Sequence, residues 1–168
     1  LRAVNMLTIR KATSKDLGAI TEIYNAAILT TVASFDTETK TDAEQKRWFQ
    51  HHGRRYPILV AEEDNLIVGW ASLSQWSDRG AYSETAEASL YVREGYQGRG
   101  IGRKLSEALI EAGRQAGFHT LIGRIVDGND ASLHLAGSVG YRHIGVMKEC
   151  GWKFGRRLDI HLVQYIYE

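Results

Sequence analysis

Between Thr85 and Gln115 the hydrophobic period of the chain changes from two residues to 3.6, and a run of glycines marks the change. Thr85-Ala-Glu-Ala-Ser-Leu-Tyr-Val92 alternates. Ala86, Ala88, Leu90 and Val92 share one face of a strand; Glu87, Ser89 and Tyr91 share the other. Ile101, Leu105, Ala108, Leu109 and Ala112 then form one stripe of a helix that runs to about Ala116. Between strand and helix lies Gly95 to Gly102, which holds four of the chain's 17 glycines. Such a turn lets backbone come close to a ligand and opens on the free amides of a helix N-terminus, a setting that suits phosphate. The glycines are not a linker signature, because the chain has a single proline, Pro57. Two common phosphate loops do not fit. Counting from Gly98, the sixth position of a dinucleotide fingerprint is Arg103 rather than glycine. The run ends Gly-Arg-Lys-Leu, without the Gly-Lys-Ser/Thr of a Walker loop.

The other segments place this unit in one domain. Leu7–Lys11 reads as a short strand, and Ser14 as the cap of a helix with Leu17, Ile20, Ile23, Tyr24, Ala27 and Ile28 at helical spacing. Thr30 to Lys40 reads as a loop carrying Phe35. Thr41-Asp-Ala-Glu44 is a capping box that opens a helix with Trp48 and Phe49. Residues 58–62 and 66–73 flank Asp64-Asn65 as a hairpin. Gln75 to Ser83 is a loop with Trp76, Asp78, Arg79 and Tyr82. Thr120 to Val126 is a strand, Asp130 to Val139 a short helix, and Tyr141 to Tyr167 strands broken at Gly151 to Arg157. Gly140 and Gly151 read as turns, and Gly113 and Gly117 as ordinary helix-end glycines. This order predicts a mixed α/β domain around one sheet, residues 7–168. Residues 1–6 read as a leader or cloning remnant.

Composition narrows the function. Twenty-one Lys and Arg against 20 Asp and Glu give net +1, too balanced for a nucleic-acid protein. One cysteine, Cys150, permits no internal disulfide and favours a reducing compartment, so the cytoplasm is the expected location. No Cys/His spacing suggests a metal, and none is expected. His51-His52 reads as solvated surface. No apolar run is long enough to span a membrane, and no membrane partner is expected.

Gln97-x-x-Gly100-x-Gly102 after a strand resembles the acyl-CoA pyrophosphate loop of the GNAT N-acetyltransferase superfamily. The resemblance runs from Leu7 to Tyr167, on the side of the branch that acetylates phosphinothricin and methionine sulfoximine. It is carried by Ile23-Tyr-Asn25, Ala33-Ser-Phe35, Tyr56-Pro57, Trp76, Thr85-Ala-Glu87, Ser89-Leu-Tyr-Val92, Asn129-Asp-Ala-Ser132, Gly140-Tyr141, and Lys153-Phe-Gly-Arg156 with Asp159. It implies a mostly antiparallel central sheet flanked by helices, with a splayed strand pair at the acyl-CoA site. It implies acetyl-CoA as co-substrate, a small amino-acid-like amine as acceptor, and a homodimer.

Carried over residue by residue, the resemblance gives the backbone of Leu90, Tyr91 and Val92 to the pantetheine arm. It gives Gln97, Gly98, Arg99, Gly100, Ile101, Gly102 and Arg103 to the diphosphate. Asn129 would hold the pantetheine, or simply cap the helix it begins. Glu87 is the expected general base, a role helped by partial burial; the plain alternative is a surface glutamate paired with a cation. Phe35, Arg79 and Tyr82 would line the acceptor site, with Arg79 on a substrate carboxylate. Ala136 stands where this branch carries a catalytic histidine, so no general acid is assigned. Acceptors of other kinds remain open at this stage (a protein N-terminus, a polyamine, an aminoglycoside), as does a non-catalytic acyl-CoA sensor.

Overall fold

The computed structural model describes residues 6–168; the leader reading of residues 1–5 lies outside them. Seven strands form one sheet: β1 (Leu7–Lys11), β2 (Ile58–Glu63), β3 (Leu66–Gln75), β4 (Thr85–Val92), β5 (Thr120–Val126), β6 (Arg142–Lys153) and β7 (Arg156–Ile166). Their order is β1-β2-β3-β4-β5-β7-β6, and β4 with β5 is the one parallel pair. Four helices cover the sheet: α1 (Leu17–Thr30), α2 (Asp42–His52), α3 (Ile101–Gln115) and α4 (Asp130–Ser138). The element order and the mixed, mostly antiparallel sheet agree with the expectation.

Two apolar layers explain the arrangement. Ile101, Leu105 and Leu109 of α3 pack on Val68, Ala71, Leu73 and Ala86. On the opposite face Ile20 and Ile23 of α1, with Trp48 and Phe49 of α2, pack on Val60, Ile67 and Trp70. The alternation of β4 divides as its sequence predicts. Ala88, Leu90 and Val92 join the α3 layer, and Tyr91 joins the other. The β2–β3 turn is Asp64-Asn65, both in the left-handed region (φ 50° and 63°), as a tight two-residue hairpin needs. Thr41 and Glu44 form the expected capping box of α2.

Several local expectations are corrected. Ser14 does not cap α1: a single 3₁₀ turn, Ser14–Asp16, comes first, and Asp16 accepts from the Thr13 amide at 2.7 Å. Arg10 clamps that carboxylate through both Nη groups. His52 is buried rather than solvated. Its Nδ1–H donates to Trp48 O (2.7 Å), a carbonyl that can only accept, which leaves Nε2 to accept from Ser74 Oγ (3.1 Å). The last two strands break only at Phe154-Gly155, so Gly151 lies inside β6 at an irregular stretch of its ladder. Gly113 is not ordinary: it is buried in α3, and a methyl there would overlap Tyr167 Oη. That hydroxyl donates to Ile110 O at 2.6 Å.

The Gly113 contact predicts a coupled pair. Gly113→Ala is expected to destabilise the fold by about 1–3 kcal/mol through overpacking, measured by denaturant unfolding. The same substitution in a Tyr167→Phe background should cost clearly less, because the overlapping oxygen is gone; equal costs would refute the packing account.

Candidate active site

The site is built where β4 and β5 part. Their ladder starts at Thr85↔Thr120 and stops at Ala88↔Gly123. Beyond it β4 continues on β3 to Val92↔Gly69, and β5 continues on β7 to Val126↔Ile160. The β5-facing edge of residues 89–92 is thereby left without a strand partner. The gap opens into a cleft of about 540 Å³ lined by Glu87, Leu90, Arg124, Asn129, Ala136 and Tyr141, among others. Leu90 and Tyr91 line it, and Val92 continues the same free edge.

At the far end of β4 the chain enters α3 through the glycine turn. Gly95, Gly98 and Gly100 have φ of +85°, +76° and +81°, a conformation that strains residues with a Cβ. Gly100 is the N-cap of α3 and supplies no side-chain cap, so the first-turn amides face outward unpaired. Gly102 packs under Leu135, whose Cδ2 would lie 3.2 Å from a methyl placed there. Gln97 is exposed, its amide reaching Val92 O at 3.5 Å. Arg99 stacks on Tyr96 and lies 3.5 Å from Glu63. Arg103 pairs with Glu107 and donates to Ser138 Oγ. Both guanidinium groups are about half exposed. The turn is thus a cationic surface of backbone amides, chemistry that fits a diphosphate.

Asn129 caps α4, its Oδ1 accepting from the Ser132 amide at 3.2 Å. Its Nδ2 has no partner among the described residues, so the cap and the cleft-lining position coexist. Ala136 is buried against the cleft and offers no proton, while His134 is exposed on another side of α4.

Glu87 lies one residue before the ladder ends, with its side chain 25% exposed. Burial pushes its carboxyl pKa up, and the nearby Arg124 opposes that rise. Arg124 Nε lies 2.7 Å from Glu87 Oε2, yet this buried oxygen accepts no hydrogen bond in the right direction. The plain alternative, a glutamate beside a cation, is therefore present in the structure. The sequence reading missed Arg124. As an exposed strand residue it carries no local signal, and only the packing of β5 beside β4 brings it to Glu87. The guanidinium of Arg124 also lies 4.8 Å over the Trp76 ring, which ties the loop after β3 to the site.

The acceptor-side candidates separate. Phe35 lines the cleft. Its ring occupies the place where any side chain at Gly151 would be. The segment carrying it is fastened on two sides. Tyr24 donates to Asp36 and receives a hydrogen bond from Ser34 Oγ, and the buried Lys153 ammonium donates to Ser34 O at 2.7 Å. Arg79 and Tyr82 are exposed at the 3₁₀ turn Gly80–Tyr82 and do not line the cleft. Cys150, which no motif had marked, does line it. A second cavity of about 380 Å³ adjoins the first through Tyr24, Asp36, Ser89 and Tyr91. No cluster of three metal-ligating side chains occurs among the described residues, and no helix there is long and apolar enough to cross a membrane.

Burial as the dominant cause predicts that a carbon-detected NMR titration of Glu87 gives a midpoint above 4.5. A midpoint at or below that value would contradict it.

Comparison with known proteins agrees with this geometry. The description "Acetyltransferase (GNAT) domain" matches residues 9–162. The L-amino acid N-acyltransferase MnaT of Escherichia coli K12 is 39% identical over 94% of this chain and 92% of its own. An L-methionine sulfoximine/L-methionine sulfone acetyltransferase of Salmonella typhimurium LT2 is 38% identical over 94% and 93%. The solved structure of a Salmonella typhimurium acetyltransferase with its cofactor acetyl-CoA superposes with a TM-score of 0.94, at 38% identity over 98% of this chain and 95% of that one.

Proposed function

The chain belongs to the GNAT acetyltransferases and is an acetyl-CoA-dependent N-acetyltransferase; from this premise we propose that its acceptor is the α-amine of a small amino acid of the methionine sulfoximine or phosphinothricin type, with Glu87 as general base. The observation that carries the assignment is the state of Glu87. It is a half-buried carboxylate with a raised pKa and one oxygen without a hydrogen bond, beside the gap where the backbone edge is free. A carboxylate whose pKa is raised by burial is a better proton acceptor than an ordinary one.

In this mechanism the unpaired edge of Leu90, Tyr91 and Val92 and the Asn129 amide orient the pantetheine arm. The turn Gln97, Gly98, Arg99, Gly100, Ile101, Gly102 and Arg103 holds the diphosphate. Glu87 accepts a proton from the acceptor ammonium, which frees the nitrogen lone pair to attack the thioester carbonyl. The new C–N bond forms, the C–S bond breaks, and the thiolate leaves to be protonated by solvent or by the proton lost from the amine. Ala136 supplies no acid. Phe35 walls the acceptor side. Arg79 and Tyr82 belong to the loop that Trp76 ties to Glu87 through Arg124. The relatives, an L-amino acid N-acyltransferase and an L-methionine sulfoximine/L-methionine sulfone acetyltransferase, support an amino-acid acceptor. A polyamine or an aminoglycoside finds less support in a cleft whose carboxylate is already countered by an arginine. The cytoplasm is the proposed location.

A thiol-release assay with methionine sulfoximine, phosphinothricin and a polyamine tests the reading. Turnover should favour the two amino acids. Glu87→Gln should lower kcat roughly 100- to 10,000-fold with little change in CoA binding. CoA binding without thiol release from any acceptor would instead make the protein a sensor.

The chain is also proposed to act as a homodimer. The β6 strand is an outer edge of the sheet and exposes Ile144, Val146, Met147 and Trp152, the kind of edge that proteins cover. Sedimentation equilibrium should give twice the chain mass; a monomer at micromolar concentration would refute this.

A further inference from the structure

The acceptor proposed above is a zwitterion, and the ion pair at the head of the cleft offers a partner to each of its charges. Glu87 stands on β4. Arg124 stands on β5, one residue past the last paired position, Gly123. The two side chains meet at 2.7 Å through Arg124 Nε, but neither is saturated. Glu87 Oε2 is buried without a hydrogen bond. Arg124 Nη1 and Nη2 have no hydrogen-bond partner among the described residues, and its side chain is 49% exposed. Both residues line the same cleft.

The guanidinium makes a cation–π contact without using its fork: its Cζ lies over the Trp76 ring, 4.8 Å from the centre. A guanidinium with a free Nη pair matches a carboxylate in two parallel hydrogen bonds. In an α-amino acid only two carbon atoms separate the ammonium nitrogen from the carboxylate oxygens. An amine delivered to Glu87 therefore brings its carboxylate to the neighbouring arginine. With the acceptor inserted between them, both protein charges keep an opposite partner, which avoids an uncompensated buried charge.

We propose that Arg124 binds the α-carboxylate of the acceptor, so that the Glu87–Arg124 pair selects α-amino acids over simple amines. This rests on Glu87 receiving the amine. It moves the carboxylate contact from Arg79, which the family resemblance suggested, to a residue that faces the base. Arg79 has neither a stacking ring nor a place in the cleft lining.

The test compares L-methionine sulfoximine with its α-carboxamide, which keeps the amine and the side chain. Wild type, Arg124→Gln, Arg124→Lys and Arg79→Gln are assayed for thiol release, and acceptor binding is measured by calorimetry with CoA present. The wild-type protein should prefer the acid. In Arg124→Gln the kcat/KM loss should be roughly 10- to 100-fold larger for the acid than for the amide, mostly in KM. Arg124→Lys should restore part of the preference, and Arg79→Gln should keep it. The proposal is overturned if Arg124→Gln keeps the preference, if Arg79→Gln abolishes it, or if Arg124→Gln loses acid and amide activity equally. It is also overturned if wild type binds acid and amide alike. Binding of the acid that depends on Arg124, with no thiol release from any acceptor, would sink the transferase reading and leave the carboxylate site standing.

Discussion

The four-residue ladder between β4 and β5 is the constraint on which the molecule turns. A parallel pair that ran its full length would close the cleft. Where the two strands part, each keeps its neighbour on the other side. β4 stays on β3 for seven positions, and β5 stays on β7 for seven. The sheet therefore remains continuous while one seam opens. Backbone polar groups along that seam lack strand partners, and unpaired backbone in a crevice is costly unless water or a ligand takes it up. In the function proposed above, a thioester arm takes the place of the missing strand, and the amides at the start of the following helix take the other end of the same ligand.

Much of this frame was legible because it is written in local chemistry. The alternation of residues 85–92 gave both faces of β4 correctly. The glycine run from 95 to 102 marked a turn of unusual backbone, and three of its glycines have positive φ. Thr41-Asp-Ala-Glu44 and Asp64-Asn65 announced their own geometry. Other features depend on residues distant in the chain and left no trace nearby. His52 ends a polar-looking helix, and only Trp48 O together with Ser74 on β3 explains its burial. Gly113 has its reason at Tyr167, and Gly151 at Phe35. Asp16 overrides Ser14 as the helix starter because Arg10, on a neighbouring strand, fixes its carboxylate.

The candidate site divides along the same line. Its cofactor half is mostly backbone and glycine, which a motif can encode. Its acceptor half is made of side chains converging from separate segments. Phe35 comes from the loop after α1, held by Tyr24, Ser34, Asp36 and Lys153. Arg124 comes from β5 and Trp76 from the loop after β3. A charged residue on a strand reads as a solvent-facing position until its neighbour is known. Arg124 is of that kind: the role proposed for it follows from standing beside Glu87, not from anything in Gly123-Arg124-Ile125.

Gly151 shows how far such an arrangement reaches. It touches neither the base nor the glycine turn, yet the Phe35 ring rests in the space its missing side chain leaves. With Phe35 as the proposed wall of the acceptor pocket, the width of that pocket is set partly from behind, by a position on an edge strand. Enlarging that position would press the ring inward and narrow the range of acceptors. Acceptor choice in this scaffold is adjustable through a residue that no bound molecule need ever meet.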